Sequence, residues 1–215
     1  SLADLQFIVN RINADLNLQT ISDEHPQCNL AFHSSSEGFL SYLGFDLGRI
    51  EYSIYDSYIQ SLFTRNQDNI ILSKLGKRGQ NECVDYTSTE LTEFASLRVL
   101  SSEKKNEIIK AILVNYWNES KKRIMQIESK FSNQMQQTML LSWLYDYGFV
   151  NARKFERLIN VLTTNDRCKI AKFMWDEHEA TDSLYWKSNR KSDIAFLLGD
   201  RLDLSVSNTT LVTDV

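Results

Sequence analysis

Hydrophobic residues recur at helical spacing over most of the chain. In residues 2–18, Leu2, Leu5, Ile8, Val9, Ile12 and Leu16 share one side, with Arg11, Asn13 and Asp15 on the other. Ile54, Tyr55, Tyr58, Ile59 and Leu62 predict a further amphipathic helix of about four turns. Ser101, Ser102 and Glu103 form a capping start, with an acid in the first turn where the helix dipole favours it. The long helix they open carries Ile108, Ile109, Ile112, Leu113, Tyr116, Trp117, Ile124 and Ile127. Three compact helices follow, over 136–147, 152–162 and onward from Asn165-Asp166, with Gly148 as a left-handed stop and Asp166 as a cap. A short helix over 190–198 and a polar tail over 205–215 end the sequence.

Two stretches break the helical rhythm. Residues 66–89 are polar and hold Gly76 and Gly79, so they read mostly as loop with room for one short helix. Residues 20–48 hold the single proline, a serine run and three of the seven glycines, Gly38, Gly44 and Gly48. Glycine at such spacing permits tight turns and close backbone approach, so this stretch predicts a small β-hairpin presenting Asp46 to a cleft. One proline in 215 residues favours long helices over a strand-and-turn architecture. The expected organisation is one mostly helical domain over 1–204. It has an N-terminal helix (1–18), a hairpin lobe (about 20–50), a helical lobe (51–204) and a loose tail (205–215).

Composition narrows the function classes. A 42% hydrophobic content supports a packed core and excludes a disordered chain. The net charge of −4 argues against general nucleic-acid binding, which needs a basic surface. It also gives no electrostatic attraction to an anionic cell wall. Three dispersed cysteines, Cys28, Cys83 and Cys168, form no CxxC pair and no disulfide framework. No apolar run reaches membrane-spanning length, so no membrane span is expected. His25, Cys28 and His33 lack the second ligand pair that zinc spacing requires, so no metal or cofactor is expected. The aromatic residues Tyr116, Trp117, Trp143, Tyr145, Tyr147, Trp175 and Trp186 sit mainly at core spacing, and Cys168 is expected in the core. Lys121, Lys122, Arg123, Arg190 and Lys191 read as solvated faces.

The order of several motifs resembles the lysozyme-like muramidase domains of tailed phages, of bacteriocins of the pesticin type and of spike-fused antibacterial effectors. That family's hairpin reads roughly G-V-T-I-G-x-G-x-D-L-G, beside Gly38-Phe39-Leu40-Ser41-Tyr42-Leu43-Gly44-Phe45-Asp46-Leu47-Gly48 here. Upstream, Ile21-Ser22-Asp23-Glu24-His25 stands where the family places its glutamate. Leu75-Gly76-Lys77-Arg78-Gly79 and Val99-Leu100-Ser101-Ser102-Glu103 follow in family order. Leu140-Leu141-Ser142-Trp143-Leu144-Tyr145-Asp146-Tyr147-Gly148 parallels the L-x-S-x-x-Y-x-x-G helix, and Asp166 and Arg190-Lys191-Ser192-Asp193 parallel the later motifs.

The resemblance implies an α+β, predominantly α-helical, lysozyme-like fold with a small N-terminal β-hairpin lobe and a helical C-terminal lobe. It implies hydrolysis of peptidoglycan, with the glycan strand as substrate. Glu24 is then the general acid and Asp46 the second carboxylate, which orients water or stabilises charge. Glu37 is the second choice for the acid, because Glu37-Gly38 imitates an E-G motif. The family's water-holding threonine aligns with Leu40, which cannot hydrogen bond, and Ser41 stands one position away on the opposite strand face. That replacement makes a glycan- or protein-binding module without hydrolysis the alternative. The chain opens Ser-Leu without methionine, which reads as a cargo domain of a larger secreted or delivered protein. The target would be another cell's periplasm and an immunity protein a partner, with any export signal outside this segment.

Overall fold

The computed structural model describes residues 1–16, 48, 50–77, 102–149, 151–182 and 184–199. The chain divides into two compact units. One joins Ser1–Leu18 to Tyr116–Val215, and the other is Gln19–Asn115.

The described residues are predominantly helical, and no strand occurs among them. This corrects the α+β expectation with its hairpin lobe. Gly48, read as the end of a strand, instead lies in a buried 3₁₀ turn. At Gly48 the reason is that glycine carries no strand preference and turns readily, and the rest of the stretch read as a hairpin, residues 20–47, lies outside the described residues.

In the Gln19–Asn115 unit, the regular amphipathic helix expected to carry Ile54, Tyr55, Tyr58, Ile59 and Leu62 changes its winding along its length. A single α-turn, α2 (Tyr52–Ile54), runs into a π-helical stretch (Tyr55–Ile59) and a 3₁₀ turn (Gln60–Leu62). Tyr55 and Ile59 point inward, and the Tyr55 hydroxyl donates to Asp68 Oδ1 at 2.6 Å. Burial comes first in pushing the Tyr55 phenol far above its ordinary value, and the adjoining Asp68 carboxylate adds to it.

The stretch read mostly as loop from residue 66 contains α3 (Arg65–Lys74). A reciprocal capping box starts it: Gln67 N donates to Thr64 Oγ1 at 3.3 Å, and Thr64 N donates to the Gln67 side chain at 3.0 Å. Capping, with burial of Ile71, forms the helix within this polar stretch. The long helix α4 (Ser102–Arg123) begins in this unit and ends in the other.

The discontinuous unit is built around α6 (Gln134–Tyr147), in which residues 135–146 are all buried. A helix buried on every side must satisfy its polar residues internally. Gln136 Nε2 donates to the Leu162 carbonyl at 2.9 Å, and Gln137 Nε2 to the Phe131 carbonyl at 2.8 Å. The first turn of α6 also holds the chain's beginning. Leu2 N donates to Gln137 Oε1 at 2.6 Å and Asp4 N to Thr138 Oγ1 at 2.8 Å, which places α1 (Leu5–Leu16) against α6. Gly148 ends α6 with φ 64° and ψ −161°, a positive-φ stop outside the left-handed region that was expected.

A short turn, α5 (Ile127–Lys130), precedes α6, and α7 (Ala152–Thr163) follows it, burying Leu158 and Leu162. Asp166 caps α8 (Arg167–Glu179) as expected, accepting from Cys168 N at 2.9 Å and Lys169 N at 3.2 Å. The last helix, α9 (Leu184–Leu198), starts six residues before the expected position and packs extensively on α8. No described helix is long and apolar enough to cross a membrane.

Candidate functional site

The sequence candidates Glu24, Glu37, Ser41 and Asp46 lie outside the described residues, as do Leu40, His25, Cys28 and His33. The structure instead assembles the later motifs. Ser142 and Asp146, one turn apart on α6, meet Arg190 and Asp193 on α9 and Arg11 on α1.

Asp146 Oδ2 accepts three bonds: from Arg190 Nη2 at 2.7 Å, Asn189 Nδ2 at 3.0 Å and Arg11 Nη1 at 3.2 Å. Arg11 Nη1 also donates to Ser142 Oγ at 2.9 Å, and Ser142 Oγ donates to Asp193 Oδ1 at 2.6 Å. Arg190 Nε lies 2.9 Å from Asp193 Oδ2. Two guanidinium groups thus face two carboxylates, and the cluster is formally neutral. Arg190 and Asp193 are 0% exposed, Asp146 4% and Arg11 5%.

Burial alone would push the Arg190 guanidinium down, but Asp193, Tyr147 and Asp146 outweigh it and hold the cation more firmly than usual. For Asp193 burial is the largest influence and raises its carboxyl, against Arg190, Arg11 and the Ser142 hydroxyl. Aromatic rings close the cluster. Arg190 Cζ stands 5.1 Å from the Tyr147 ring centroid, and Tyr147 packs against Trp143 and Trp186, each at 4.8 Å. The Tyr147 phenol is pushed up to about 12. Burial is the main cause, opposed by Arg190 and reinforced by Asp146 and Glu177.

Chemically, the cluster is a lock between helices. Its carboxylates face arginines and not solvent, so neither is placed to protonate a substrate oxygen. Ser142 donates to a carboxylate and has no histidine bonded to it among the described residues, which supply no base of the kind an activated nucleophile needs. Among the described residues no group of three or more histidine, cysteine or acidic side chains could hold a metal ion.

Several expectations about individual residues are corrected. Arg190 is fully buried and not on a solvated face. Arg11 faces inward, although it was placed on the polar side of α1. The available signal was its position three residues after Ile8 and beside Ile12, both fully buried. Asn189 carried no signal beyond its place before Arg190. Cys168 is half-buried and free, not a core residue. Lys121, Lys122 and Arg123 are exposed as expected, with Arg123 Cζ 4.1 Å from the Phe149 ring centroid. Tyr116, Trp117, Trp143 and Tyr145 are buried packing residues, as their spacing indicated.

No family model matches the chain, and no curated protein or solved structure is detectably similar to it.

Proposed function

We propose that this chain is a peptidoglycan-directed muramidase module, the cargo domain of a bacteriocin or secreted antibacterial effector that acts in the target cell's periplasm. One observation carries the reading. Two of the segments on which the resemblance rests, 140–148 and 190–193, share one buried network through Ser142–Asp193 and Asp146–Arg190.

In this reading the buried network fixes the helical scaffold, and the chemistry belongs to other residues. Glu24 protonates the leaving glycosidic oxygen, and Asp46 supports the attacking water or the oxocarbenium-like transition state. Glu37 stands second for the acid, and Ser41 is a weak candidate for holding the water. An apolar surround would raise the acid's pKa, and a polar one would keep its partner ionised. An immunity protein would be the protective partner in the producing cell.

Leu40 favours a second reading, a module that binds glycan or a protein without cleaving. Isolated peptidoglycan incubated with the chain separates the two when new reducing ends are measured beside Glu24→Gln and Asp46→Asn. Cleavage lost in either variant supports the first reading. Cleavage that survives both sinks the residue assignment, and sedimentation with peptidoglycan in the absence of any cleavage supports the second.

A further inference from the structure

His178 sits in the last turn of α8 with 6% of its surface exposed. Its ring stacks on Trp175 of the same helix, with centroids 4.4 Å apart and planes at 14°. Nδ1 lies 3.0 Å from Glu179 Oε1, whose side chain is 56% exposed. Nε2 is buried and has no hydrogen-bond partner among the described residues.

The groups facing this ring favour the neutral form. From α9, Lys187 Nζ donates to the His178 backbone carbonyl at 3.1 Å, and Lys191 adds a second cation on the same side. The helix end that would ordinarily welcome a protonated histidine therefore already holds an ammonium group. From α7, Lys154 pairs with Glu177 at 3.4 Å, which occupies the neighbouring carboxylate. Among the described carboxylates, Glu179 attracts a proton to the ring, from an exposed position where water screens it. The Trp175 face attracts a cation, but it cannot accept the Nε2 hydrogen bond that water would provide.

We propose that the α8–α9 joint is an acid-sensitive latch: one proton on His178 frees the start of α9 from the end of α8. Above the ordinary histidine range the ring is neutral and the joint is closed. Burial, helped by Lys187 and Lys191 and opposed by Glu179, holds the folded ring below its usual value of 6.5. Opening the joint rehydrates the ring and takes up a proton. The closed form is therefore fully favoured above about pH 6.5 and loses ground as pH falls towards the folded value. The segment released leads directly to Asn189 and Arg190, so loosening there reaches the network that holds α1 and α6.

Amide hydrogen exchange on the intact chain, corrected for intrinsic rates, tests the latch at about pH 7.5 and about pH 5. Protection over residues 180–191 should fall severalfold relative to α6 on acidification. His178→Phe keeps a ring against Trp175 without a titrating nitrogen and should remove that difference. The His178 ring signal, followed by NMR, should titrate below 6.5 in the unaltered chain and move up in Lys187→Met. An equal fall in protection in the unaltered chain and in His178→Phe overturns the proposal. So does a His178 midpoint at or above the ordinary value, which needs no variant to fold.

Discussion

Arg190 donates through Nη2 to Asp146 Oδ2 at 2.7 Å, and both side chains are closed to solvent. This pair joins α9 to α6 at the centre of a unit drawn from both ends of the sequence. Its removal leaves Asp146 and Asp193 buried without their nearest cation. Arg190→Met should therefore cost about 3–5 kcal/mol, the range for breaking one side of a buried ion pair. Arg190→Lys should recover little, because a single ammonium cannot span Asp146 and Asp193 as Nη2 and Nε do. Urea unfolding at neutral pH measures both, and a loss below about 1 kcal/mol in Arg190→Met would contradict the scaffold role.

The Asp166 carboxylate accepts from two backbone N–H groups at the start of α8. Asp166→Ala should lower stability by about 1 kcal/mol, and Asp166→Asn by less, since asparagine caps nearly as well. Glu156→Ala on the exposed face of α7 should fall within about 0.5 kcal/mol of the unaltered chain. Thermal or denaturant unfolding of the three variants checks the order.

Tyr147 gives an alkaline signature. Its phenol stays protonated in the folded chain up to about 12, while the unfolded phenol ionises at 10.0. Between those values unfolding releases a proton, so stability should fall as pH rises through the window. Absorbance titration should show Tyr147 ionising late, beside Tyr55 which ionises later still, and Tyr147→Phe should remove the component near 12.

Periodicity made α6, α7 and α8 legible because their apolar positions repeat at three and four residues and their caps are Asn or Asp. Helix α3 was legible only as one short helix allowed within a polar stretch, without its start or end. Its stability comes from a reciprocal bond between Thr64 and Gln67, and neither residue marks an apolar face. The π-helical stretch over Tyr55–Ile59 was hidden because Tyr55 and Ile59, four residues apart and both buried, fit an ordinary α-helical pattern equally well. At the candidate network, Ser142, Asp146, Arg190 and Asp193 were visible as motif letters. Their burial was not, because a charged residue reads as solvated until its partner is known to reach it. Arg11 and Arg190 were misplaced by that rule. The carboxylates assigned to catalysis, Glu24 and Asp46, lie outside the described residues.

The docking of α1 sets an order on biosynthesis. Arg11 leaves the ribosome long before Asp146 and Arg190 exist, while the whole Gln19–Asn115 unit is made in between. A nascent chain can therefore complete its middle first and must hold α1 in reserve, its cation in water and Ile8, Val9 and Ile12 unburied. Helix α6 offers one neighbour earlier, but only when α9 emerges is the first helix's permanent set complete. Fragments that stop short of residue 190 should thus carry an exposed, apolar N-terminal helix, a form that quality-control proteases and chaperones recognise.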